Sequence, residues 1–429
     1  MQFSNVFVVI YLIGQAFSFI LNQLLEYIDF SWRKKHGKEI PHELYEYIDG
    51  EILNKTCAYE DARYFLWVPK NILSTALSLT LVLTGFYVWL YESLWAWTNN
   101  SYLTVILFVI LASIPGSILS LPFDLIREFH IEKKFGFSNM TIKMWLADEA
   151  KQLLITLIIS IPLLCAAIAL FTHAPKIWWI ILGCIYVAFT FLASYVYPIW
   201  IAPMFNKFTP LEDGELKTRL EALLVKTGFK AKSMFVMDAS KRSAHSNAYF
   251  TGLGKNKRIV LYDTLINQLS VDEIEAVLAH ELGHYKKKHI LRKQCILIPL
   301  IFVMLFAINV FVKITSLYEG FGVTITEDML CSTGFFGIKA PYILYLGMFL
   351  TGLIFEGYSP LVELVSNLSS RHDEFQADAF SAKLCGSGKP LTTALIKLNK
   401  ENLSEVTEPK IYSIFNDNHP PLLDRIHAL

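Results

Sequence analysis

Apolar residues run along this chain in long unbroken stretches, rather than in the three-and-four spacing of a surface helix or the alternation of a half-buried strand. A helix needs about 20 mostly apolar residues to cross a bilayer. Seven stretches meet that length, at 6–25, 71–91, 102–122, 153–172, 177–198, 294–312 and 341–362. The sixth, QCILIPLIFVMLFAINVFV, has no charge, whereas the seventh carries Glu356 near its end and is followed at once by Glu363. Between the fifth and sixth the pattern changes. SMFVMDAS, NAYFTGLG and KRIVLYDTLI read as short strands separated by turn-forming Gly, Asn, Ser and Lys, which predicts a small sheet. SVDEIEAVLAHELGHYKKKHILRK then reads as a helix. Ser270 and Glu273 have capping-box spacing, Asp272 and Glu273 suit its positive start, and Lys286 to Lys288 suit its end.

Lys and Arg in the loops test the span count independently, because cytoplasmic loops are enriched in them. Residues 28–70 hold seven, 92–101 none, 123–152 five and 173–176 one. The segment 202–293 is rich in them again, Lys313 and Lys339 lie between spans six and seven, and the tail from 363 holds seven. This alternation is what seven spans with an outside N-terminus predict. No Lys or Arg precedes the first apolar run, so that run reads as a retained span and not as a cleaved signal peptide. Residues 202–293 and 363–429 then fall on one side, the cytoplasmic one, where two separated segments can build one site. The expected fold is mainly α: a polytopic membrane protein of seven transmembrane helices with a cytoplasmic α+β domain. Its parts are 1–201 (spans one to five), 202–293 (a loop domain with the small sheet), 294–362 (spans six and seven) and 363–429 (the rest of the cytoplasmic domain).

Composition supports the membrane reading, with 54% hydrophobic residues, 18% charged and a mean hydropathy of +0.41. Formal net charge is zero and no long run of like charge occurs, so a nucleic-acid surface is not indicated and partners are expected in the lipid. The six cysteines include no CxxC pair, so they suggest neither a disulfide framework nor a cysteine zinc knuckle.

Within the predicted helix, HELGH at 280–284 brings in chemistry. Histidines at i and i+4 lie on one helix face, about 5–6 Å apart at Cβ, and two imidazoles so placed reach one zinc at roughly 2.0–2.1 Å. Glu281 follows the first histidine, so it projects beside the metal, where it can take a proton from water. Hydrolysis needs one more protein ligand and an open position. The tail offers SSRHDEFQADAFSAKL at 369–384, with Glu374 and Asp378 four apart. Glu374 can be the third ligand, and Asp378 can accept a hydrogen bond from a liganding imidazole. His372 and Asp373 compete for the ligand role on spacing alone.

HELGH, EFQAD at 374–378, HSNAYFTG at 245–252 and NHPPLLDRI at 418–426 together resemble the type I CAAX prenyl proteases, seven-span zinc metalloproteases of the gluzincin kind. HIEKKFGF at 130–137 and YPIWIAPMFNKFTPL at 197–211 resemble that family as well, so the likeness runs in order along most of the chain. It implies that His280, His284 and Glu374 hold one zinc, Glu281 is the general base and Asp378 stands behind the ligands. It further implies that Asn247, in an edge strand, holds the extended peptide backbone and that His419 and Arg425 lie near the scissile carbonyl. A large chamber within the helices is implied too, although nothing in the periodicity shows one.

The expected activity is zinc endopeptidase action on a membrane-associated substrate. By the resemblance, the substrate is a prenylated CaaX sequence that loses its last three residues, in the endoplasmic reticulum membrane of a eukaryote or the inner membrane of a bacterium. A membrane-protein quality-control protease with no prenyl requirement is the alternative enzyme, and a metal-binding transporter or scaffold the alternative that is not an enzyme.

Overall fold

The structure is a computed structural model that describes residues 1–229, 233–251, 257–326 and 341–429; Cys331, Lys339 and the end of the NAYFTGLG stretch lie outside them. The first half is helical: α1 (Val6–His36), α2 (Gly50–Leu83), α3 (Phe86–Thr98), α4 (Ser101–Ile126), α5 (Ile142–His173) and α6 (Trp178–Val196). α4 and α6 each continue through a π-helical turn, Arg127–Glu132 and Tyr197–Ile201. Those turns fall in the HIEKKFGF and YPIWIAPMFNKFTPL stretches, and π turns of this sort recur at functional sites.

Beyond them come α7 (Glu215–Thr227), α8 (Val271–Lys286), α9 (His289–Phe311), α10 (Pro341–Glu356) and α11 (Ser359–Cys385). The tail adds α12 (Lys389–Glu401), α13 (Lys410–Asn416) and α14 (Leu422–Ala428). Among the described residues six helices are long and apolar enough to cross a membrane, and α10 with α11 makes a seventh if their 62° bend counts as one span. Ile13, Ile20, Ile118, Ile158 and Val303 are each more than half exposed, which in such helices is the surface offered to lipid.

Three expectations need correction. The run 71–91 is not one helix. α2 stops at Leu83, the chain turns through Gly85 at φ +74°, and α3 begins anew. Hydropathy carries straight through that break because the residues on either side are equally apolar. The run 341–362 also breaks, at Gly357–Tyr358. A Cβ on Gly357 would stand 2.5 Å from the Gly14 carbonyl carbon, so only glycine lets α1 pass so close there. Finally, the helix foreseen through Lys293 ends at Lys286. Lys288 takes a left-handed conformation, φ +57°, and α9 starts at His289.

α1 runs well past residue 25, and its polar end is buried against the tail. Arg33 donates from Nη1 to Asp29 at 2.6 Å and from Nε to Asp61 at 3.1 Å, and it also pairs with Glu405. Breaking such a buried pair leaves a charge without compensation, so this network ties residues 29–61 to the C-terminal segment.

The small sheet has strands β1 (Phe208–Pro210), β2 (Ser233–Met237), β3 (Ala248–Thr251) and β4 (Arg258–Tyr262), in the order β1-β2-β4-β3. β2 and β4 are parallel, and the outer pairs are antiparallel, with Ala248 opposite Leu261. β1 and α7 are additions to the elements read from the apolar pattern; β1, at three residues, is too short for a strand signal. Below the sheet, Leu220, Leu223, Ile259, Leu261, Leu278, Leu282 and Ala394 are at most 1% exposed. Burying each leucine or isoleucine contributes about 1.5–3 kcal/mol before entropy is subtracted. This core clamps α8 between the sheet and the tail helix α12.

Candidate metal centre

α8 starts where its sequence says it should. Ser270 accepts from the Glu273 N–H and the Glu273 carboxylate accepts from the Ser270 N–H at 2.8 Å, a complete capping box. One face, Ile274, Leu278 and Leu282, enters the core, and the neighbouring face meets α11. There the two helices come very close. A Cβ on Gly283 would stand 2.9 Å from Ala377 Cα and 3.2 Å from the Ala377 carbonyl oxygen, and Ser381 Oγ donates to the Ala276 carbonyl at 2.7 Å. That approach brings the i, i+4 pair of α8, His280 and His284, against the i, i+4 pair of α11, Glu374 and Asp378.

Gly283→Ala is therefore expected to force the helices apart, at about 1–3 kcal/mol of overpacking. A lower melting temperature together with faster loss of metal to a chelator would show it. Wild-type values for both would mean that helix spacing does not set the site.

The donor atoms converge. His280 Nε2 and His284 Nε2 are 3.1 Å apart, His284 Nε2 is 3.3 Å from Glu374 Oε1, and His280 Nε2 is 3.4 Å from Glu374 Oε2. A tetrahedral ion with bonds of 2.0–2.1 Å needs donor separations of about 3.3–3.4 Å, so the set fits such an ion. Among the described residues these three form the one His/Cys/Asp/Glu group within 4.8 Å of each other able to hold a metal. His372 and Asp373 face elsewhere. His372 Nε2 lies 2.8 Å from Gln376 Nε2, and Asp373 Oδ1 lies 2.5 Å from Arg292 Nη2.

Behind the donors, His280 Nδ1 is 2.7 Å from Asp378 Oδ1. A carboxylate can only accept, so Nδ1 of the imidazole carries a proton, which leaves Nε2 as the nitrogen able to bind a metal. Asp378, 1% exposed, is gripped on its other side by Arg425, from Nε at 2.9 Å and Nη2 at 2.7 Å. Arg425 Nη2 is also 3.6 Å from Glu374 Oε2. His419, on the turn before α14, reaches Glu374 Oε2 from Nδ1 at 2.9 Å and keeps its side chain more than half exposed.

Burial works against the His280 imidazolium, yet the hydrogen bonds to Asp378 and Glu374 carry its pKa up to about 9. Burial pushes the Glu281 carboxyl above the usual carboxylate range, against the pull of His280 and His284. Asn247 joins none of these hydrogen bonds. It is exposed at the start of β3, the terminal strand of the sheet, where its Oδ1 accepts from the Ala248 N–H at 2.8 Å and its carbonyl from the Tyr262 N–H at 3.1 Å.

The approach to β3 includes contacts that no motif spacing announced. Phe137 stacks on His245 with ring centroids 4.3 Å apart, and Glu132 accepts from Tyr59 Oη at 2.9 Å. His245 Nδ1 lies 2.9 Å from Asn402 Oδ1. The end of the π turn after α4 and the residues just past it thus sit beside the strand entrance, with Glu132 Oε2 3.8 Å from His245 Nε2. Three cavities, of about 230, 630 and 350 Å³, share Glu60 and Arg63 as a common wall. The first is lined by Trp67 and Asp124, the second by His245 and the third by His419. Cavities beside α4, beside the entrance to β3 and beside His419 thus meet at the same two residues of α2.

Comparison with known proteins agrees with this arrangement along its length. Residues 30–207 match the family described as CAAX prenyl protease N-terminal, five membrane helices, and residues 210–429 match peptidase family M48. CAAX prenyl protease 1 of Saccharomyces cerevisiae is 35% identical over 420 residues, covering 93% of this chain and 90% of the yeast one. The CAAX prenyl protease 1 homolog of Homo sapiens is 30% identical over 439 residues, covering 92% and 89%. The crystal structure of S. mikatae Ste24p superposes with a TM-score of 0.86 at 32% identity, covering 98% of both chains.

Proposed function

This chain belongs to peptidase family M48, with the CAAX prenyl protease membrane region ahead of its peptidase part, and from that premise we propose that its metal is zinc and its substrate a prenylated protein ending in a CaaX sequence. It is a multi-pass membrane metalloendopeptidase. The observation that carries the zinc reading is the convergence of His280 Nε2, His284 Nε2 and a Glu374 carboxylate oxygen in a spacing suited to a tetrahedral ion. Two nitrogens and one carboxylate are a hydrolytic zinc set that leaves a position open for water or substrate.

Zinc, when bound, supplies a Lewis acid that polarises a water and the scissile carbonyl. Glu281 removes the proton of the attacking water and hands it to the leaving amine. His419 is exposed enough to meet the substrate and donates a hydrogen bond as charge grows on the carbonyl oxygen. Asp378 and Arg425 hold the His280 imidazole in one orientation. The peptide lies extended along β3, with Asn247 holding its backbone, because a terminal strand presents unpaired N–H and C=O groups. Residues 202–293 and 363–429 act as one catalytic unit, and 1–201 with 294–362 as its membrane part. By the Lys and Arg distribution the site faces the cytoplasm, in a eukaryote at the endoplasmic reticulum membrane.

Removal of the last three residues from a prenylated CaaX end is the reading that the relatives' names support. It is tested by cleavage of a farnesylated CaaX peptide against its unmodified twin. The farnesylated peptide is expected to be cut at least about tenfold faster, since burying only about two CH₂ groups supplies that much. Equal rates would replace it with a quality-control protease that ignores the lipid.

A further inference from the structure

His284 turns Nε2 toward His280 and Glu374, at 3.1 and 3.3 Å, and its other nitrogen is not left in solvent. His284 Nδ1 lies 3.0 Å from His289 Nδ1, and the two rings meet edge to face with centroids 5.0 Å apart. Across the second ring, His289 Nε2 is 3.3 Å from both Asp373 Oδ1 and Gln376 Oε1. Arg292 Nη2 in turn stands 2.5 Å from Asp373 Oδ1. His289 is 2% exposed and Asp373 is fully buried.

Two imidazole nitrogens 3.0 Å apart need one proton between them, one ring donating and the other accepting. Binding a metal through the Nε2 lone pair puts the His284 proton on Nδ1, so His289 Nδ1 accepts. His289 then carries its own proton on Nε2 and donates to Gln376 Oε1, with the Asp373 carboxylate close by. Every proton in the chain is accounted for by one choice of tautomers. The backbone is bent to make the contact: Lys288, a residue with a Cβ, takes the left-handed conformation that folds the first residue of α9 back onto His284. Strain of that kind at a functional site points to a role for the residue it places.

We propose that His289 is a positioning residue of the metal centre, accepting the Nδ1 proton of His284 and fixing that ligand in its metal-binding tautomer, while Asp373, Gln376 and Arg292 hold His289 in turn. It does for His284 what Asp378, backed by Arg425, does for His280. The inference rests on the reading of His284 as a ligand.

The test compares zinc retention in purified full-length protein by chelator competition. Wild type is expected to hold one zinc. His289→Leu removes the acceptor and is expected to weaken zinc binding about 10–100-fold, the usual effect of losing such a partner. His289→Asn keeps an acceptor oxygen near the Nδ1 position and is expected to stay within about threefold of wild type. Wild-type retention in the Leu variant overturns the proposal, as does an equal loss in Leu and Asn, which would mean that the ring only fills space. Absence of zinc from the wild type itself overturns the ligand reading, before any variant is compared.

Discussion

Glu281→Gln is expected to cut peptide-bond cleavage by about 10²–10⁴-fold, the share a positioned general base supplies, while the protein still holds one metal ion per chain. Glu281 is outside the donor group of His280, His284 and Glu374, so the change leaves all three donors in place. Gln matches the volume of Glu but has no proton-accepting carboxylate at neutral pH. Activity and metal content should therefore separate: turnover of a fluorogenic peptide collapses, whereas metal analysis gives the wild-type stoichiometry. A variant that cuts normally would remove Glu281 from the mechanism and reopen the reading of the chain as a metal-binding transporter or scaffold.

Arg425→Met is expected to produce the largest loss of stability, about 3–5 kcal/mol. The reason is Asp378, a carboxylate only 1% exposed whose two oxygens receive both hydrogen bonds from Arg425. Without the guanidinium, that charge stays buried with the His280 N–H as its remaining partner, and it will take up a proton or swing away. Either outcome also releases His280, so metal affinity should fall with stability. Arg425→Lys keeps the charge but not the fork, and should recover only part of the loss. Arg425→Met combined with Asp378→Leu separates the two effects. Replacing a buried ion pair with apolar residues of similar volume is often neutral for stability, whereas His280 still lacks its acceptor. Melting temperature should return toward wild type and metal retention should not. If Arg425→Met melts like wild type and holds metal as tightly, the guanidinium is not what holds Asp378, and a direct role at the scissile carbonyl becomes the better assignment.

The site was legible to the extent that its chemistry is local. His280, Glu281 and His284 share one helix turn, and Ser270 with Glu273 marks where that helix begins, so identity and spacing are enough to read them. Asp378 was readable as a partner for a ligand imidazole, although not for which one. The choice among His372, Asp373 and Glu374 was not readable from spacing, and only the family resemblance pointed to Glu374. All three sit on one helix within a single turn, and only the approach of α11 to α8 at Gly283 and Ala377 selects the residue that faces the histidines. His289 escaped because its partner is reached through a left-handed turn at Lys288, which no residue preference announces.

By itself, the sequence determined that the chain lies in a membrane, where its apolar runs fall, and that one helix carries a paired-histidine hydrolytic motif. These are properties of length, periodicity and residue type, and they hold before any contact is made. The tertiary structure alone decided that the apolar runs break at Gly85 and Gly357, because hydropathy is the same on both sides of those bends. It also decided that Arg425 grips Asp378 while His419 meets Glu374, since residues more than 40 positions apart are joined by packing and by the need to compensate buried charge.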